Sequence, residues 1–341
     1  MKPTVHDIAR SAGVSLATVD RVLNGRPGVR HVTRERVEQA ISSLGYVRDV
    51  AAANLAKGRT YSFAFVLPSN DNSFMISLHD EVGQAISRSG PERTRIRIVD
   101  VPPFDARALA LALNQLAADM PDGIAFVAVE GEEVHAAVAR LKEAGIAVVT
   151  LVSDLPGSAR DHFAGIDNNA AGRTAANLLG RFLGGRDGTI AVVAGSMLVR
   201  DHRERLEGFS AVMSKDFPRF GVLPVMEARD DPALAAELLA ALLASRSDII
   251  GLYSLGAGNR GIVHALAEMA ADARPMVVAH ELNRTTTSAL ANGLIDAVLN
   301  QDAGHEVRSA IRVLKGKVEG LPVIAAQERI RIDIFLKDNM P

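Results

Sequence analysis

Six residues in one short stretch carry groups suited to reading nucleic-acid bases. Ser15, Leu16, Ala17, Thr18, Asp20 and Arg21 fall away from the apolar side of a helix that the spacing of Val19, Val22 and Leu23 predicts over roughly Leu16 to Leu23. Arg21 can donate two hydrogen bonds to guanine, and Leu16 and Ala17 suit a thymine methyl. Asp20 would be repelled by phosphate unless it accepts from cytosine N4 or pairs with Arg21. A second set suits a polyhydroxylated ligand: Asn70, Asp154, His202, Arg205, His280, Glu281 and Gln301 offer fixed hydrogen bonds, and Phe74 can cover an apolar ring face. Each of these follows the C-terminal end of a predicted strand, where open α/β sheets bind ligands.

The elements that position the first set are short helices. Thr4 reads as an N-cap with Asp7 three residues on, a capping box. Ile8, Ala9 and Ala12 give that helix one buried side, and Gly13 stops it. Ser15 is placed to cap the second helix, so the pair forms a helix-turn-helix. Asn24-Gly25-Arg26-Pro27-Gly28 is a loop signal. Thr33 is expected to open a third helix, in which Val37, Ala40, Ile41 and Leu44 recur before Gly45. The first 60 residues hold ten Lys/Arg against five Asp/Glu, a net +5, whereas the remainder holds 28 against 35, a net −7. A basic module joined to an acidic body makes nucleic acid the leading partner.

The second set rests on an alternation of strands and helices. Strand patterns at 61–68, 95–101, 123–129 and 146–153 alternate with helical ones at about 77–89, 105–118 and 132–144. The rhythm restarts with strands at 188–195, 221–228, 248–254 and 275–281, and helices at about 201–214, 232–245, 259–270 and 285–292. A strand pattern at 294–301, a long helix near 303–315 and a last strand pattern at 327–337 follow. This predicts two doubly wound, parallel-sheet α/β lobes with a cleft between them. The expected division is a DNA-binding domain at 1–48, a hinge helix and linker at 49–60, and a two-lobed effector-binding and dimerisation domain at 61–341. Its lobes would span about 61–158 and 159–285, with late segments crossing back.

The run from Thr4-Val5-His6-Asp7-Ile8-Ala9 through Ala12-Gly13-Val14-Ser15, Thr18-Val19, Arg21-Val22-Leu23-Asn24-Gly25, Val29, Thr33-Arg34 and Leu44-Gly45-Tyr46 resembles the N-terminal domain of the lactose-repressor (LacI/GalR) family of bacterial transcription regulators. The match holds register over about 55 residues. Relatives usually carry serine at Asp20 and Pro-Asn at Arg48-Asp49. The resemblance implies contacts to operator DNA by Thr4, Ser15, Leu16, Ala17, Thr18, Asp20, Arg21, Asn24, Val29 and Thr33. It also implies a hinge helix over 50–58, with Leu55 wedged into a minor-groove base step. The body resembles the family's periplasmic-binding-protein-like core. There Arg205, in Arg205-Leu206-Glu207-Gly208-Phe209, matches the arginine that clamps effector hydroxyls, and Glu281 falls where an aspartate usually binds effector. Gln301 and Asp154 fall near other cleft positions, and Asp167-Asn168 and Gly172 match a structural motif.

The expected function is a ligand-responsive transcriptional repressor, a homodimer released from a palindromic operator by a small sugar or polyol. Corepressor-type and activating modes stay open. So does an NAD(P)-dependent oxidoreductase, because Gly256-Ala257-Gly258-Asn259-Arg260-Gly261 fits the dinucleotide fingerprint, with Glu281 about 20 residues on. No HExxH, Walker A or GxSxG pattern is present, so no catalytic residue, metal or cofactor is expected. The chain has no cysteine, no apolar run long enough to span a bilayer and no secretory signal pattern, which points to the cytoplasm.

Overall fold

The computed structural model describes residues 3–341 apart from 24, 47–58, 70–71, 91–92 and 257. Asn24, Leu55, Asn70 and the expected hinge helix therefore lie outside the described residues. The chain divides into two compact units, Met1–Arg59 and Thr60–Pro341.

In the first unit, α1 (Val5–Ala12), α2 (Leu16–Leu23) and α3 (His31–Leu44) close on a small core of Ile8, Ala9, Ala12, Val19, Val22, Val37 and Ala40. The Thr4 amide donates to the Asp7 carboxylate at 2.9 Å, completing the capping box. Gly13 ends α1 in the left-handed conformation at φ 64°, where a side chain would be strained. The third helix starts two residues earlier than Thr33 suggested. Arg30 is extended, and its carbonyl accepts from the Thr33 and Arg34 amides. That cap uses no side chain and so left no mark in the sequence.

The second unit contains two sheets. The first has the order β2-β1-β3-β4-β5, built from Tyr61–Pro68 (β1), Thr94–Val101 (β2), Gly123–Val127 (β3), Ala147–Leu151 (β4) and His162–Ala164 (β5), all parallel. The second runs β12-β11-β10-β9-β6-β7, with Gly188–Ala194 (β6), Phe220–Val222 (β7), Ile249–Ser254 (β9), Met276–His280 (β10) and Ala297–Asn300 (β11). Met226–Glu227 (β8) pairs with β6, and Asp333–Phe335 (β12) runs antiparallel to β11. Pro224 separates β7 from β8 where a single strand was expected, because proline cannot donate to a ladder.

Helices α4 (Ser73–Arg88), α5 (Ala106–Asp119) and α6 (Glu132–Glu143) flank the first sheet. The second is flanked by α7 (Asn168–Leu183), α8 (Arg200–Asp216), α9 (Pro232–Ser245), α10 (Asn259–Ala267) and α11 (Arg284–Ala291). The last helix, α12 (Ala303–Val318), packs Ala303, Val307, Ala310, Val313 and Leu314 against the first sheet. The lobe limits therefore differ from those expected. The first sheet continues to Ala164, β11 and β12 stay in the second sheet, and α12 crosses back. Helix α7 and strand β5 had no expected counterpart. The α7 segment is rich in Ala, Gly and Asn, so its helical period is faint, although Asp167 caps it through the Ala170 amide at 2.8 Å.

The α7–α8 crossing sets the geometry of the cleft. A Cβ on Gly172 would lie 1.9 Å from the Arg205 carbonyl oxygen, and one on Gly208 would lie 2.1 Å from that of Asn169. Only glycine at both positions lets the two backbones touch. That approach brings Asn168 within reach of the Arg205 guanidinium.

Candidate nucleic-acid interface and ligand cleft

In the N-terminal unit, Ser15, Leu16, Ala17, Asp20 and Arg21 are exposed, and Thr18 is partly so. Leu16 is 43% exposed, a high value for a leucine that no core position claims. The Ser15 hydroxyl caps α2 by accepting from the Thr18 amide at 3.2 Å and sits 3.0 Å from the Thr18 hydroxyl. Asp20 forms an ion pair with Arg26 at 3.3 Å, across the turn after α2. Arg26 was not among its expected partners. The carboxylate thus carries its own counter-charge, which lessens its repulsion toward phosphate. Thr4 is exposed, Thr33 is half-buried, and Val29 is half-buried against the same small core.

In the second unit, a cleft of ≈ 660 Å³, its mouth included, lies between the sheets. Phe74, His202, Arg205, Glu281 and Gln301 all line it. Arg205 is 1% exposed and sits at the floor. Its Nε donates to Asn168 Oδ1 at 2.8 Å, Nη1 to the Leu255 carbonyl at 2.6 Å, and Nη2 reaches Glu281 Oε1 at 3.5 Å. Gln301 Nε2 donates to the same Glu281 oxygen at 2.9 Å. Glu281 Oε2 and Gln301 Oε1 are buried with no hydrogen-bond partner. Buried acceptors left open in this way are costly unless a donor arrives.

Glu281 adopts a left-handed backbone at φ 71°. That conformation costs about 1–2 kcal/mol for a residue with a side chain. The Thr286 hydroxyl supports it by donating to the Glu281 carbonyl at 2.8 Å. The turn reverses the strand's parity and sends the carboxyl into the cleft. Burial raises its pKa to about 7, against the opposing pull of the Arg205 guanidinium. Glu306, in the first turn of α12, is also fully buried, and its two carboxyl oxygens have no hydrogen-bond partner. Burial first, and Glu281 second, push its pKa well up.

Two expected ligand contacts are corrected. His280 is turned into the core of the second lobe, where its Nε2 lies 2.8 Å from the Tyr253 hydroxyl. Burial drives its pKa well down and keeps it neutral. Asp154 is turned inward: Arg160 grips both its oxygens, and the Thr150 hydroxyl and Leu155 amide donate to it at 2.8 and 2.7 Å. Its side chain is consumed in bracing a loop and does not line the cleft. His202 is fixed by Nδ1, 2.8 Å from the Ser196 carbonyl, with Asp201 beside it.

Other residues line the cleft as well. Asp201 follows the same strand as His202, so the strand-end rule covers it. Val101, Pro102, Pro103, Val127, Val129 and Val152 belong to the opposite wall. They read as ordinary strand ends, so nothing in their local sequence marks them. The lobes also touch directly: the Arg200 amide donates to the Ser153 hydroxyl at 3.2 Å, and Arg203 pairs with Glu130.

The glycine-rich turn serves packing. A Cβ on Gly256 would meet Arg205 Nη1 at 2.8 Å, and one on Gly261 would lie 1.9 Å from the Pro232 carbonyl. These glycines admit the buried arginine and let α10 approach α9, which accounts for them without a pyrophosphate.

Residues 4–49 match the family described as bacterial regulatory proteins, lacI family, and residues 63–322 match the periplasmic binding protein domain. Catabolite control protein A of Priestia megaterium is 32% identical over 153 residues, covering 45% of this chain and 44% of its own length. The sucrose operon repressor of Escherichia coli is 37% identical over 126 residues, covering 36% of this chain and 37% of its own. The chain thus spans under half the length of these two relatives. GanP, a glucose-galactose binding protein from Geobacillus stearothermophilus, superposes with a TM-score of 0.73 at 20% identity, over 83% of this chain and 99% of that one, a likeness of fold.

Proposed function

This chain belongs to the lacI family of bacterial regulatory proteins, with a lacI-family domain at 4–49 joined to a periplasmic binding protein domain at 63–322, and from that pairing we propose that it is a ligand-responsive transcriptional repressor. It acts as a homodimer in the cytoplasm, without catalysis, and a small sugar or polyol releases it from a palindromic operator. The observation that carries this reading is the coexistence on one chain of an exposed polar helix, α2, and a cleft floored by Arg205, Glu281 and Gln301 with acceptors left open. No described helix is long and apolar enough to cross a membrane.

Arg21 and its neighbours meet base edges in the major groove, and Leu55 enters the minor groove. Hydroxyls of the effector donate to Glu281 and Gln301. Binding shifts the lobes across the Ser153–Arg200 and Arg203–Glu130 contacts, and this movement couples the ligand site to the DNA site. Selection of duplexes from a random pool by the full chain tests the proposal directly. A two-fold-related sequence should be enriched, and a member of a sugar and polyol panel should release it; recovery of duplexes without any common sequence would refute it.

Arg21→Ala is expected to weaken binding to the selected operator by about 10- to 100-fold and to relax preference at one base pair in each half-site. Anisotropy titrations against single-base variants read both effects, and a uniform loss on every sequence would assign Arg21 to phosphate instead.

Effector affinity should depend on pH through Glu281. Its pKa is raised from its ordinary 4.5 to about 7, so the free folded protein holds this proton more tightly than the unfolded chain does. That contribution to stability is present below 4.5 and is lost as pH rises through about 7. A hydroxyl donated to Glu281 favours the ionised form. Affinity should therefore be greatest above pH about 7 and fall by up to about tenfold per unit below it. Burial raises the Glu281 pKa most; among the groups that face the carboxyl, Arg205 and Gln301 pull it down and Asp201 pushes it up, and Glu306 lies close enough to feel its charge. Calorimetry from pH 5 to 8 should show this slope in the native chain and a flat profile in Glu281→Gln, whereas equal slopes would place the titrating group elsewhere.

A further inference from the structure

We infer that the effector is amphipathic, a hydroxylated sugar ring seated on the second lobe and bearing an apolar aglycone that packs against the first. The inference rests on the reading of this cleft as the effector site and specifies what fills it. The two walls differ in chemistry. The second lobe contributes Arg205, Glu281, Gln301, Asp201 and His202. The first contributes Val101, Pro102, Pro103, Val127, Val129 and Val152 at the ends of its strands.

Among the described residues, the first lobe brings two polar side chains to the cleft, and the oxygen of each accepts from a backbone amide. Asn72 Oδ1 caps α4 by accepting from the Phe74 and Met75 amides at 2.9 and 3.2 Å. The Ser153 hydroxyl accepts from the Arg200 amide at 3.2 Å. A free monosaccharide held in this cleft would press hydroxyls against valine and proline, and each hydroxyl losing water without a partner costs affinity. The open acceptors lie on one side only, at Glu281 Oε2 and Gln301 Oε1, and both residues are over nine-tenths buried. They call for hydroxyl donors at that end of the ligand.

The test uses the full chain and calorimetry with common pentoses and hexoses, each offered as the free sugar and as its phenyl glycoside. The tightest ligand should be a phenyl glycoside, binding on the order of 50-fold more tightly than its parent sugar because the aglycone buries apolar surface. Val129→Thr, which keeps shape and adds a hydroxyl, should cut that ratio several-fold. A free sugar that binds as tightly as its glycoside would overturn the inference, and so would a panel in which no member binds. Sequence-selective DNA binding is measured on the same preparation. If it persists while the glycosides fail, the regulatory reading stands and this inference alone falls; if it is absent as well, the regulatory reading falls with it.

Discussion

Removal of residues 1–59 is expected to abolish binding to the operator while leaving effector binding intact. The chain parts into compact units at Arg59/Thr60, and the core of each is formed from its own residues. The excised segment carries ten Lys/Arg against five Asp/Glu, so the fragment that remains has a net charge of −7 and repels phosphate. It also loses α2 and with it every proposed contact to base edges. Arg205, Glu281 and Gln301 are held by Asn168, the Leu255 carbonyl and one another, none of which lies in the deleted unit. Anisotropy with labelled operator should show a loss of at least three orders of magnitude, down to nonspecific levels or below. Calorimetry should return the effector affinity of the full chain. A fragment that still binds operator comparably would dismiss the N-terminal unit as the DNA-binding element.

The second large effect is expected at Arg205. Its guanidinium spreads donors over an amide, a backbone carbonyl and a carboxylate in a site closed to water. Arg205→Ala leaves Asn168 Oδ1 and the Leu255 carbonyl without those bonds and Glu281 without its counter-charge. Loss of one partner from a buried ionic group costs about 3–5 kcal/mol. Effector affinity should fall at least about 100-fold, because the group that orients Glu281 goes with it. The cost is paid in the second lobe, so the helix-turn-helix should keep its DNA affinity in the absence of effector. Arg205→Lys should not rescue, since one ammonium cannot reach three acceptors in a fork. Thermal melting and calorimetry check both halves, and unchanged effector affinity in Arg205→Ala would remove it from the site.

The N-terminal helices were legible because their signals are local. Thr4 and Asp7 close a box within one turn, Gly13 and Gly45 stop helices at left-handed positions, and the buried residues recur at helical spacing. The start of α3 was not legible, because Arg30 caps it with a backbone carbonyl alone. In the body, strand ends located the cleft, yet they over-nominated. His280 and Asp154 follow strands as Glu281 and Gln301 do, and one is core while the other braces a loop. The apolar wall of the first lobe was not singled out, since valines at strand ends look alike whether they face a core or a ligand.

The sequence by itself determined the helix-turn-helix unit, its charge and the alternation of strand and helix, because caps, glycine stops and hydrophobic period act within a few residues. The tertiary structure alone decided which polar groups meet. Gly172 and Gly208 let α7 and α8 touch so that Asn168 holds Arg205, a left-handed turn carries the Glu281 carboxyl to Arg205 and Gln301, and α12 crosses back to bury Glu306 nearby. Those outcomes depend on contacts between segments far apart in the chain, and no local pattern encodes the distance between them.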